Sequence, residues 1–260
     1  MPTDLGRVFQ GFRYWLKLYR RTWRGTIVIS VANPLLFLLG IGVGIGHLVD
    51  HGDPSALGGV TYAEFFAPGL LAASAMQTAF VEGGGRVTIA AGESGAYRAA
   101  VTTPLEPDEI LAGHMLYVAF RLATSCAAFI LVMVVFGVTA GWWGLVAWLA
   151  ALLTGLAFAT PLAAWTVTLR TYGKVNSLFR FVIMPMYMFS GTFFALSELP
   201  GGVRPVASVL PLAQGVALCR SLSLGTASLP AVIGHVSYLL VFVLAGIAAA
   251  RVTYRRRLHA

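Results

Sequence analysis

Along the chain, apolar positions gather into six long runs separated by short polar breaks, and one amphipathic stretch precedes them. Taken at about 100° per residue, residues 4–24 place Leu5, Val8, Phe9, Phe12, Trp15, Leu16, Tyr19 and Trp23 on one face. Arg7, Gln10, Arg13, Lys17, Arg20, Arg21 and Arg24 occupy the other, with Leu18 out of place. A helix with a basic face and a Trp/Phe/Leu face lies in the membrane interface rather than across it. The pattern therefore predicts an interfacial elbow helix over 4–24. The six apolar runs cover 26–49, 62–81, 115–138, 145–169, 178–196 and 231–250. Each is about as long as a helix needs to cross a hydrocarbon core of about 30 Å.

Breaks and small residues refine this picture. Asn33-Pro34 interrupts the first run, Pro161 predicts a kink in the fourth, and Pro185 stands in the fifth. Gly40, Gly42, Gly44 and Gly46 set two overlapping GxxxG spacings, the pattern of a close helix-packing face. His47, Asp50, His51 and Asp53 are metal-capable types but lack a ligand spacing, so they read as a solvated loop and no metal site is expected. Gly141-Trp-Trp-Gly144 reads as a tight turn with interfacial tryptophans. Residues 197–230 contain an apolar stretch, yet Gly201, Gly202, Pro205, Pro211, Gln214 and Arg220 crowd it. A seventh span there would carry Arg255–Arg257 to the outer side, against the excess of basic residues found in cytosolic loops. The segment is expected to dip into the outer leaflet and return, as buried broken helices do.

Charge then sets the orientation. With six spans and both termini cytosolic, fifteen of the eighteen Lys/Arg residues fall inside the cell. Only Arg204 and Arg220 fall outside, and Arg121 lies within the third span, about two turns from its inner end. There Arg121 snorkels or pairs with a carboxylate such as Glu82. Composition agrees: 58% apolar and 11% charged residues cannot cover a water-facing surface. The net charge of +8 flanks the apolar runs instead of forming a basic patch with interleaved aromatics, so it is a topology signal rather than a nucleic-acid surface. Cys126 and Cys219 make no disulfide or metal pattern and read as packing thiols.

The chemistry that is missing narrows the function. Gly173-Lys174 is the sole Gly-Lys pair, and Thr168 stands where a phosphate-binding loop needs its first glycine. The chain is therefore expected to bind no nucleotide itself and to be no enzyme; neither paired carboxylates nor a His cluster stands in one leaflet. The span centres carry no Asp, Glu or His, which weighs against an ion-coupled carrier. That carrier, and a non-transporting assembly factor, remain the rival readings. A membrane part driven by another protein fits best. The contact surface for such a driver is residues 92–114, which hold four of the ten carboxylates and have no transmembrane character. Within it, about Ser94–Val101 reads as a short helix and Thr102–Glu106 as a turn. Pro107, with Asp108 and Glu109 behind it, reads as the start of a helix running into the third span.

The run Ala99-Ala-Val-Thr-Thr-Pro104-Leu105, with Glu109-Ile-Leu-Ala-Gly113-His114, resembles the signature of ABC-2-type exporter permeases. Pro34-Leu-Leu-Phe-Leu-Leu-Gly40 and Phe66-Ala-Pro68-Gly69-Leu70-Leu71 are similar to the same family. Pro185-Met-Tyr-Met-Phe-Ser190-Gly191-Thr-Phe-Phe194, Leu199-Pro200 and Leu210-Pro211-Leu212 resemble its nodulation-factor and daunorubicin-type branch. The resemblance implies an all-α polytopic fold of six spans, with an elbow helix and re-entrant outer helices between spans five and six. It also implies a coupling helix within 92–106 that docks on a separate ATPase, through Tyr97, Arg98, Val101, Thr103, Pro104, Leu105 and Glu106. Two ATP-binding subunits, which would bind ATP and magnesium, and a second permease subunit, identical or paralogous, are the implied partners. The cargo implied is an amphipathic drug, lipid or glycolipid. Met76, Gln77, Phe80, Met186, Tyr187, Phe189 and Phe193 are pathway candidates, since methionine and aromatic surfaces suit such ligands; ordinary helix packing is the competing reading.

Overall fold

The computed structural model describes residues 4–40, 60–139 and 142–258, with backbone alone at 26–31, 33 and 34. Most of the GxxxG stretch, the His47/Asp50/His51/Asp53 group and Gly141 lie outside the described residues. Among the described residues the regular structure is entirely helical.

Helix α1 runs unbroken from Leu5 to Phe37. The expected boundary between an elbow over 4–24 and a first span is therefore absent. A lone interior glycine costs about 1 kcal/mol of helix stability, and Gly25 alone does not end a helix packed along α5. α2 (Tyr62–Ala79) starts on a reciprocal cap: Thr61 Oγ1 accepts from the Glu64 amide at 3.3 Å, and the Thr61 amide donates to Glu64 Oε2 at 2.8 Å. A π-helical turn, Phe80–Gly85, and α3 (Arg86–Ala91) carry the same helical course well past Val81.

Two glycines with positive φ then interrupt the helical course. Gly95, at φ +63°, turns the chain into α4 (Ala96–Val101), and Gly191, at φ +77°, stops the helical course through the fifth apolar run at Phe189. The short helix expected from Ser94 thus begins at Ala96, and the fifth run is helical over α7 (Gly173–Leu178), a π-helical turn and α8 (Met184–Phe189) rather than to residue 196. Between these lie α5 (Pro107–Val135) and α6 (Trp143–Thr166). α5 opens with Pro107 in its first turn, and its Glu106 amide donates to Glu109 Oε2 at 3.0 Å.

Residues 197–230 contain two short helices, α9 (Arg204–Val209) and α10 (Pro211–Ser223), and α11 (Leu229–Leu258) closes the chain. Among the described residues, α5, α6 and α11 are long and apolar enough to cross a membrane. α2, α5, α6 and α10 enclose a core that includes Phe66, Leu71, Met76, Leu122, Phe129 and Leu212. α11 lies along the outside of α6. A second buried cluster, aromatic in character, collects Trp15, Tyr19, Tyr97, Tyr117 and Tyr254 where α4 meets α1, α5 and α11.

Candidate functional site

Helix α4 is six residues long and presents one large side chain inward, that of Tyr97, which is 2% exposed. Its hydroxyl meets His114 Nδ1 on α5 and lies 3.2 Å from the hydroxyl of Tyr254 on α11. His114 Nε2 is 3.1 Å from the Glu82 carbonyl. A carbonyl only accepts, so in the neutral ring Nε2 carries the proton and Nδ1 accepts from Tyr97. The one Tyr97 proton is then committed, and Tyr254 donates to Tyr97. Burial, reinforced by Tyr254, pushes the Tyr97 phenol well above its ordinary pKa, so it stays neutral and able to donate.

The Trp15 ring of α1 lies 4.2 Å from His114 and stacks on Tyr117 at 5.8 Å. That approach needs a small residue at the crossing. A Cβ on Gly113 would come within 2.9 Å of the Val8 carbonyl oxygen and 3.1 Å of Gly11 Cα. Gly113 therefore lets α1 and α5 touch backbone to backbone, and His114 beside it reaches α4.

Below this chain of hydrogen bonds is a buried charge cluster. Arg121 Nε lies 3.1 Å from Glu82 Oε1, with both side chains under 5% exposed. Arg86, one turn on, faces the other Glu82 oxygen, and Arg121 Nη1 reaches the Tyr19 hydroxyl at 3.4 Å. One carboxylate thus serves two guanidiniums from α3 and α5, while Tyr19 brings in α1. The structure brings Arg121 and Glu82 together.

The residues expected to dock on an ATPase divide by exposure. Arg98, Thr103 and Pro104 are exposed, and Val101, Leu105 and Glu106 are half-buried. The Tyr97 side chain is instead turned inward and committed to His114 and Tyr254. A groove of about 310 Å³ runs between α1 and α4, lined by Gly11, Tyr14, Trp15, Ala99, Thr103 and Leu105 among others. The pathway candidates divide too. Met76, Phe80, Met186 and Tyr187 are buried in the core, where Phe80 meets Phe179 at 5.0 Å and Tyr187 meets Phe193 at 5.0 Å. Gln77 and Phe193 are half-buried, and Phe189 is exposed beside Met188. Packing, not an open lining, is what the four buried residues do in this chain. Among the described residues no group of His, Cys, Asp or Glu could hold a metal ion.

Sequence reasoning missed His114 as a site residue, along with Trp15, Arg86 and Tyr254. One signal was present: a histidine at the foot of an apolar run is an ionisable group that needs a partner.

Residues 10–224 match the family model described as ABC-2 type transporter. The chain belongs to the ABC-2 type transporter family. It is 30% identical to nodulation protein J of Rhizobium leguminosarum bv. viciae, over 94% of this chain and 95% of that protein. Against nodulation protein J of Rhizobium leguminosarum bv. trifolii the identity is 31%, over 94% of each chain. This permease is thus a multi-pass membrane subunit of an exporter, in a family whose members work with a separate ATP-binding subunit. In that setting the Gly113-His114 pair of the signature has a physical role, one residue giving the α1–α5 contact and the other the α4–α5 bond.

Proposed function

We propose that this permease exports an amphipathic compound, a drug, lipid or glycolipid, and that residues 92–106 are where two ATP-binding subunits dock from the cytosol. The observation that carries the reading is the mounting of α4: exposed Arg98, Thr103 and Pro104 outside, and Tyr97 bonded inward to α5 and α11. A displacement of α4 by the ATPase would pass to the helices that hold Tyr97. Two permease subunits, identical or paralogous, form the pathway in this account. Six spans with both termini cytosolic fit the fifteen basic residues assigned to that side, and α9 and α10 form the segment that dips into the outer leaflet. ATP and magnesium belong to the partner. The amphipathic cargo is supported by the apolar faces around Met188 and Phe189 and by the likeness to nodulation protein J.

Co-purification with the cognate ATPase, together with ATPase assays in liposomes, tests the docking role. Arg98→Glu and Leu105→Glu are expected to weaken partner recovery and to abolish stimulation of ATP hydrolysis while the permease stays folded. Full stimulation in both variants would remove the docking role from this segment.

A further inference from the structure

α1 packs along α5 through one face, where Val8, Trp15 and Tyr19 are buried. The opposite face is basic. At about 100° per residue, Arg13, Lys17, Arg20, Arg21 and Arg24 fall in one stripe that points away from α5, and all of them are exposed. From Arg13 to Arg24 the stripe is about 16 Å long. Its charge is not answered within the chain. Leu5–Phe37 contains no Asp or Glu, and among the described residues the ion pairs of α1 are those of Arg7, before the stripe begins, with Asp4 and Glu109.

Exposed apolar side chains border the stripe on both sides, Tyr14 and Leu18 along one edge and Phe9 and Trp23 along the other. The Arg24 guanidinium lies 5.7 Å from the Trp23 ring centre. We infer that the stripe binds the headgroups of anionic phospholipids, with phosphates against Arg13–Arg24 and the bordering side chains set into the acyl boundary. A soluble anion would satisfy the charges but not the four exposed apolar side chains. A zwitterionic bilayer would satisfy the apolar side chains but not the charges. An anionic lipid surface does both. The helix continues beyond Gly25, largely apolar, to Phe37, which sets the stripe beside a bilayer and favours lipid over a soluble partner. This inference needs only a membrane-embedded chain and does not depend on the exporter reading.

The test is native mass spectrometry of the detergent-purified chain titrated with dioleoylphosphatidylglycerol or dioleoylphosphatidylcholine. The unaltered chain is expected to retain the anionic lipid at least about fivefold better, the weight of one basic side chain near an anionic surface. Arg13→Gln, Lys17→Gln and Arg20→Gln together should remove most of that preference. Arg170→Gln, Lys174→Gln and Arg256→Gln together remove the same charge from exposed positions outside α1 and should keep it. Leu18→Ser with Trp23→Ser should lower retention of both lipids. Equal retention of the two lipids by the unaltered chain overturns the inference. So does an equal loss in the two triple variants, which would mean diffuse attraction to net charge. Full displacement of the bound lipid by inorganic phosphate would assign the stripe to a soluble anion instead. Loss of a co-purified ATPase in the first triple variant, with its lipid preference unchanged, would assign the stripe to an acidic protein surface.

Discussion

Arg121 and Arg220 are both drawn into the bundle, near opposite ends of one helical course. Phe65, which receives Arg220, and Glu82, which receives Arg121, stand about 25 Å apart along it. Arg121 is answered by a carboxylate that also serves Arg86. Arg220 is answered by backbone: its Nε donates to the Phe65 carbonyl at 2.9 Å, its Nη2 donates to the Gly191 carbonyl at 2.7 Å, and its guanidinium lies 3.7 Å from the Phe65 ring centre. The first region balances charge against charge and joins α1, α3 and α5 beside α4. The second uses a guanidinium as a staple, fixing the turn after α8 to the start of α2. Charge balance is sensitive to removal of one member. A staple is sensitive to the shape of its donor.

Separating these two modes experimentally starts with the largest effect. Glu82→Ala leaves Arg121 and Arg86 buried without a carboxylate, and loss of one partner of a buried ion pair costs about 3–5 kcal/mol. Thermal unfolding in detergent should show it, and adding Arg121→Met should restore much of the loss. Arg220→Ala should cost about 2 kcal/mol, the worth of hydrogen bonds from a charged donor. Arg220→Lys should recover little of it, because an ammonium cannot fork to two carbonyls in fixed directions. Tyr97→Phe deprives His114 Nδ1 of its donor and should cost about 1–2 kcal/mol; stimulated ATP hydrolysis should fall further than stability does.

The smallest effect belongs to the Asp108–Arg255 pair, where the arginine side chain is 62% exposed. The Arg255 hydrogen bond holds the Asp108 carboxyl below its ordinary value of 3.8. A carboxyl lowered in the folded state stabilises fully above its unfolded pKa, and that contribution disappears as pH falls through the folded value. Asp108→Asn should therefore be slightly less stable than the unaltered chain at neutral pH, with the gap closing below about pH 3.8 in a pH-resolved melting series.

The start of α5 is legible in the sequence because its signals are local: Pro107 fixes the first turn and Asp108 and Glu109 suit the helix dipole. The Arg121–Glu82 pair is legible as a need, since an arginine inside an apolar run requires a partner. The inward face of α4 is not. Ala96-Tyr-Arg-Ala-Ala-Val is too short to show a period, and the partners that bury Tyr97 lie 17 and 157 residues away. The unbroken course of α1 is hidden for a related reason. The basic pattern of 4–24 stops at Arg24, but backbone hydrogen bonding continues through Gly25 to Phe37, and side-chain polarity does not report that. The core positions of Met76 and Met186 also depend on neighbours distant in sequence, so composition alone could not choose between a lining and the packing these two side chains show.

The central claim is that α4 moves as one body with the end of α11, because Tyr97 ties α4 to Tyr254. The direct measurement is the spin-label distance between Ala99→Cys and Val252→Cys, in a chain lacking Cys126 and Cys219 and reconstituted with its ATPase. Both label positions are exposed. The account predicts one narrow distance that is the same with and without ATP, and a broadened one when Tyr97→Phe and Tyr254→Phe are added. An ATP-dependent change in that distance with both tyrosines present would contradict it.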